Sequence, residues 1–227
     1  MPGRVSPTIR GKSDDDSGSA ASNSFGVTVA DIGEAKRREL AIKAGVEIQS
    51  LDDDAVRKAC ADAQAATNEV VEAVNFNAPA QVVIAGSKAG VEKACELAKA
   101  AGAKRALPLP VSAPFHSSLL KPASEKLETY LADKTFNAPR IDVINNVDVS
   151  VLKDPASIKN ALVRQAAAPV RWVETIQAMA AQGVTHVVEC GPGKVLAGMT
   201  KRINGDLNGL AVYDPATLAE VMAVLKA

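Results

Sequence analysis

Apolar and polar positions change rhythm twice along this chain. Up to Asn23 large apolar residues are scarce, and Pro2, Gly3, Pro7, Gly11 and the Asp14-Asp15-Asp16 run sit beside a Ser/Gly/Ala tract. Such a stretch buries too little surface to offset its ordering entropy, which predicts disorder. Between Asp31 and Ala44 the pattern DIGEAKRRELAIKA allows a short helix with a thin apolar face of Ile32, Ala35, Leu40 and Ile42. From Val46 the punctuation becomes regular. Val46 to Leu51 reads as a strand, and Asp52 or Asp53 is placed to cap a helix running to about Gln64. Val70 to Asn75 and Gln81 to Ala85 read as strands around a turn holding Asn77 and Pro79. Val91 to Ala100 reads as a helix closed by Gly102, and Lys104 to Leu109 as a last short strand. This β-α-β-β-α-β order is that of a ferredoxin-like unit.

After Pro110 strands and helices alternate at longer spacing. Helices are predicted over Pro122–Leu131, Ser157–Gln165, Trp172–Ala181 and Lys194–Arg202, and strands over Ile141–Asn145 and Val184–Glu189. Alternation of this kind implies a largely parallel sheet flanked by helices. Two convincing strands are too few to cover such a sheet on both faces. The expectation is an α/β chain in three parts. Residues 1–45 form an extension, 46–110 a small subdomain, and 111–227 part of a larger one.

Composition narrows the function classes. Lys and Arg number 26 and balance 26 Asp and Glu, so charge gives no argument for a nucleic-acid partner. Aromatics at 3% leave few stacking platforms for single strands. Cys60, Cys95 and Cys190 lie far apart with no CxxC spacing, which disfavours a zinc site or a disulfide framework and fits reduced thiols that are at least partly buried. No stretch reaches the length of about 18 apolar residues that a membrane helix needs. The N-terminus carries no charged-then-apolar leader pattern. The expectation is a cytoplasmic protein without a metal.

Two histidines bound the search for a general base. His186 alternates with apolar neighbours in VTHVV and reads as structural. His116 sits in PVSAPFHSSLLKP, between a strand and a helix. Pro108, Pro110 and Pro114 stiffen the approach, because each ring fixes φ. A rigid loop leading into a helix suits a base. A histidine base needs a nucleophile and an orienting acceptor, yet the strand–turn–helix motif G-x-S-x-G is absent from the sequence. Ser87, in AGSKAG, reads as a helix N-cap. Gly191-Pro192-Gly193-Lys194 is too short for a P-loop and lacks the following Ser or Thr. It reads as a tight turn into a helix whose N-terminus suits an anion.

Five stretches taken together resemble the malonyl-CoA:acyl-carrier-protein transacylase family. They are VNFNAPAQVVIAG at 74–86, AGAKRALPLPVSAPFHSSLLKPA at 101–123, INNVDV at 144–149, ALVRQAAAPVRW at 161–172 and VVECGPGKVLAGMTKRI at 187–203. Order and spacing match from about Leu51 to the C-terminus.

The resemblance implies an α/β-hydrolase-like large subdomain carrying an inserted ferredoxin-like small one, with only the later part of the large sheet represented here. It implies ping-pong transfer of malonyl from coenzyme A, through a serine ester, to the phosphopantetheine thiol of the acyl carrier protein, with no cofactor. His116 matches the family's catalytic histidine. Gln165 matches the position whose main-chain carbonyl orients it, a neutral acceptor that fixes the tautomer without adding charge. Phe115, just before the histidine, would narrow the acyl pocket and favour malonyl over methylmalonyl, a one-carbon exclusion worth about 1–3 kcal/mol. The family's glycine- and glutamine-bearing oxyanion loop and its serine elbow have no counterpart in the sequence. Arg37 or Arg38 falls near where the malonyl-binding arginine belongs, but the flanking residues differ. The expected result is a chain with little or no activity alone. The alternative is a non-catalytic fragment that binds carrier protein or coenzyme A, or that complements a separate piece.

Overall fold

The structure, a computed structural model, describes residues 43–111 and 113–226. The expectations for residues 1–42, Arg37 and Arg38 included, lie outside the described residues. Six elements follow first: β1 (Lys43–Gln49), α1 (Asp53–Thr67), β2 (Val71–Ala78), β3 (Gln81–Ser87), α2 (Lys88–Ala100) and β4 (Arg105–Leu109). Their order is the β-α-β-β-α-β predicted from the pattern. The strands form one sheet in the order β2-β3-β1-β4, with every neighbouring pair antiparallel.

β3 shows why the sequence folds this way. Gln81 to Gly86 are all buried, so both faces of the strand are covered. Val82 and Ile84 join Val46, Ile48, Val56, Phe76 and Val91 in a core with α1 and α2. Val83 and Ala85 face the opposite side with Val74, and Leu109 packs against them. Both helices start on side-chain caps: Asp52 accepts from the Ala55 N–H at 2.8 Å, and Ser87 from the Gly90 N–H at 3.3 Å. That cap starts α2 at Lys88, ahead of the expected Val91. Gly86 must be glycine, since a Cβ there would lie 2.1 Å from the Val70 carbonyl oxygen. One boundary is corrected. Lys43 and Ala44 belong to β1, not to the end of a helix, because the strand pairs along the whole of β3, from Lys43 opposite Ser87. The four-stranded unit therefore starts ahead of residue 46.

The second region opens with a 3-10 turn (Ser118–Leu120) leading into α3 (Lys121–Ala132). Then come β5 (Ile144–Asn145), β6 (Ser150–Val151), α4 (Pro155–Gln165), α5 (Trp172–Ala181), β7 (His186–Cys190), α6 (Val195–Ile203), β8 (Asn208–Val212) and α7 (Pro215–Lys226). β7 and β8 are parallel, with α6 between them in the chain. The strand expected over Ile141–Asn145 is corrected to a two-residue arm of an antiparallel hairpin with β6. Ile141 is 76% exposed. The Asn145 side chain closes the turn by donating to the Ser150 carbonyl at 2.8 Å and accepting from the Asp148 N–H at 2.7 Å. β8 and α7 were not anticipated. Gly209 weakens NGLAV as a strand by propensity. In the structure it marks a close approach, since a Cβ there would lie 2.2 Å from the Ala197 carbonyl oxygen.

The two regions meet at several places, among them the edge of β2 and the start of β3. The segment before α5 lies along the edge of β2, with the Phe76 N–H donating to Val170 at 3.0 Å and the Val170 N–H to Val74 at 2.8 Å. At the start of β3, Arg202 donates to the Gln81 side-chain oxygen at 2.6 Å, and Gln81 donates to Glu47 at 2.8 Å.

Candidate active site

His116 stands at the turn between β4 and the helices that follow it. Its φ is +63°, in the left-handed region. A non-glycine residue there costs on the order of 1–3 kcal/mol and persists only when its surroundings over-determine it. Those surroundings are visible. Pro114 is buried, and its carbonyl accepts from the Ser117 hydroxyl at 2.7 Å, with Ser117 itself fully buried. The Ser118 N–H and hydroxyl both donate to the Glu72 carboxylate, each at 2.7 Å.

The imidazole itself points at a main-chain oxygen. Nδ1 lies 3.1 Å from the Gln165 carbonyl. A carbonyl only accepts, so Nδ1 carries the hydrogen and Nε2 keeps its lone pair. Gln165 is the last residue of α4, where carbonyls lack intrahelical partners. The end of the helix thus supplies an acceptor without a formal charge. Burial pushes the His116 pKa below its ordinary value of 6.5, opposed by hydrogen bonding to the Gln165 and Ala168 backbone. Burial thus favours the neutral ring, and in the tautomer that donates to Gln165 the lone pair lies on Nε2.

Second contacts steady the acceptor. Arg164 grips Asp148 with two bonds of 2.7 Å, fastening the end of α4 to the β5–β6 hairpin. That guanidinium holds the Asp148 carboxyl below the usual carboxylate range. Ser124 donates to the Val163 carbonyl at 2.5 Å, tying α3 to α4. Sequence reasoning missed Glu72, Ser118, Arg164 and Asp148. The only local signal was a pair of serines at the start of a helix, which reads as a cap without naming its distant partner.

Beside this constellation runs an open groove of about 380 Å³, whose lining includes Arg57, Glu72, Phe76, Ala168 and Arg171. Its cations are engaged. Arg57 pairs with Asp54 at 2.9 Å and lies 4.3 Å from the centre of the Phe76 ring. Arg171 forks onto Glu174, one bond being 2.8 Å.

The other predicted residues are dispersed. Phe115 is half-buried directly before His116 and does not line this groove. His186 lies on β7, with Nδ1 2.9 Å from the Thr185 hydroxyl and Nε2 3.5 Å from the Asn208 amide nitrogen. Ser87 is the N-cap it was read as. The α6 N-terminus is already answered within the chain, since Glu189 accepts from the Ala197 N–H at 2.9 Å. Among the described residues no group of His, Cys, Asp or Glu is arranged to hold a metal ion. No helix among them is long and apolar enough to cross a membrane.

Residues 36–212 match the family model described as an acyl transferase domain. The chain belongs to the acyl transferase domain family. Within that family it is similar to the malonyl CoA-acyl carrier protein transacylase of Salmonella typhimurium, at 53% identity over 175 residues, 77% of this chain and 56% of that protein. A crystal structure of the acyl-carrier-protein S-malonyltransferase from Burkholderia pseudomallei is 67% identical. It superposes with a TM-score of 0.78 over 81% of this chain and 59% of its own. A malonyl-transacylase in complex with a type II PKS acyl-carrier protein is 44% identical, with a TM-score of 0.79 over 83% of this chain and 61% of its own. The α/β architecture is shared with these structures. The chain spans a little over half the length of the curated relatives it matches, 56% of the Salmonella protein.

Proposed function

We propose that this chain supplies the general base of a malonyl-CoA:acyl-carrier-protein transacylase site. The observation that carries the reading is His116 Nδ1 on the Gln165 carbonyl, which leaves Nε2 free on a neutral ring. In the proposed step a serine hydroxyl gives its proton to His116 Nε2 as its oxygen forms a bond to the malonyl thioester carbon. The carbon–sulfur bond then breaks, and the coenzyme A thiolate takes the proton from the imidazolium. The carrier-protein phosphopantetheine thiol reverses the sequence and releases the serine. No metal, redox group or cofactor enters this balance.

The serine is the missing part, because the sequence contains no G-x-S-x-G. We assign it to a segment outside this sequence, and the chain alone is inactive on this reading. The finer architecture belongs to the same proposal: residues 43–110 as a ferredoxin-like small subdomain, residues 111–227 as the later part of an α/β-hydrolase-like large one, and a cytoplasmic setting. Phe115 is assigned to the wall of the acyl pocket, favouring malonyl over methylmalonyl.

A second reading, a non-catalytic carrier-protein or coenzyme A binding fragment, is favoured by the relative captured with an acyl-carrier protein. Incubation with radiolabelled malonyl-CoA separates the two. The chain alone should take up no label. Addition of the G-x-S-x-G-bearing segment of the Salmonella relative should give a labelled serine ester that His116→Ala abolishes. Label on the isolated chain would overturn the assignment of the nucleophile. Carrier-protein binding without labelling in any mixture would favour the second reading.

A further inference from the structure

We propose that Glu72 is a positioning residue for His116, setting the direction of its imidazole through a two-point grip on Ser118. The inference rests on the reading of His116 as the base, but not on any activity of the chain.

Three observations carry it. First, Glu72 lies on β2, an edge strand of the four-stranded sheet, 46 residues from the serine it holds. No local folding rule brings them together, so the contact fixes one region against the other. Second, both carboxylate oxygens are used on one residue, Oε2 on the Ser118 N–H and Oε1 on its hydroxyl, each at 2.7 Å. Charge-assisted pairs of this length are the strong, directional kind. The N–H is among the unpaired donors at the start of the 3-10 turn and α3, where a carboxylate is also favoured by the helix dipole. Third, His116 sits two residues earlier with φ at +63°. Its own ring bond to Gln165 fixes only the tip of the side chain. The backbone conformation is held on one flank by Ser117 on Pro114 and on the other by Glu72 on Ser118.

A backbone held at an unfavourable φ relaxes when one of its anchors is removed. A small rotation at His116 swings Nδ1 away from a carbonyl that already stands 3.1 Å off. Glu72 therefore acts on the base through geometry. It also lines the groove beside the histidine, together with Arg57 and Arg171.

The test uses the chain with ¹⁵N-labelled histidine. In the wild type, His116 should show a protected Nδ1–H and an unprotonated Nε2 at pH 7.5, with His186 as the internal reference. Glu72→Ala should abolish the protected Nδ1–H signal of His116 and leave the His186 signals in place. Ser118→Ala, which removes one of the two bonds, should weaken protection severalfold without abolishing it. Glu72→Asp, a shorter carboxylate, should restore part of the signal. If Glu72→Ala prevents folding, Ser118→Ala and Glu72→Asp still read the same contact. An unchanged Nδ1–H signal in a folded Glu72→Ala chain overturns the proposal, as does an unchanged signal in Ser118→Ala. Loss of the signal together with absence of malonyl loading in every mixture would leave the positioning role standing and remove the proposed function.

Discussion

The four-stranded region and the region after Pro110 are built by different rules. In the first, β3 is covered on both faces and Ile48, Ile84, Val71 and Val82 are at most 1% exposed. In the second, β7 and β8 form a sheet of two strands, and Val195, Leu225 and Tyr213 stand 64%, 50% and 49% exposed. The first region closes its own core. The second holds its helices around few buried residues, chiefly Leu120, Leu127, Leu131, Ile176, Leu207 and Val221. His116 and the Gln165 carbonyl belong to this second region, while Glu72, which holds Ser118, belongs to the first. The site thus borrows rigidity from the better-packed neighbour.

Substitutions can break or sharpen this contrast. Ile84→Ala, in the strand buried on both faces, should cost about 2–5 kcal/mol and unfold the first region by chemical denaturation. Arg202→Ala removes the donor to buried Gln81 and should cost about 1–3 kcal/mol by leaving that oxygen unpaired, loosening the joint between regions. Gly209→Ala drives a methyl against the Ala197 backbone and should cost about 1–3 kcal/mol, seen as faster amide exchange in β7 and β8 ahead of β3. Leu225→Ala, on the exposed face of α7, should stay within about 0.5 kcal/mol. A loss at Leu225 equal to that at Ile84 would mean that the second region has a closed core after all.

What the sequence made legible follows the same division. The apolar strand within Gln81–Ala85, the Asp52 and Ser87 caps, and the helix ending at Gln165 could all be read because each rests on neighbours within a few residues. His116 was found through the prolines around it, and the Gln165 carbonyl through family resemblance. Glu72 on Ser118, Arg164 on Asp148 and Arg202 on Gln81 were invisible, since each partner lies 16 to 121 residues away and no local pattern marks it. β8 was hidden by Gly209, which propensity penalises and close packing against α6 requires. The strand expected over Ile141–Asn145 shrank because β propensity alone provides no pairing partner.

Stability should carry the signature of a histidine buried neutral. The folded pKa of His116 lies below 6.5, so on acidification the unfolded chain takes up the proton first. The contribution is complete above 6.5, declines as pH falls from there to the folded value, and then levels off. His116→Gln should flatten this part of the urea-midpoint profile.

The most direct measurement is the pH titration of the His116 ring nitrogens by ¹⁵N NMR on the unmodified chain. A midpoint below 6.5, with Nδ1 protonated and Nε2 bare at pH 7.5, is the result that an oriented neutral base requires. A midpoint at or above 6.5, or a proton resident on Nε2, would contradict it.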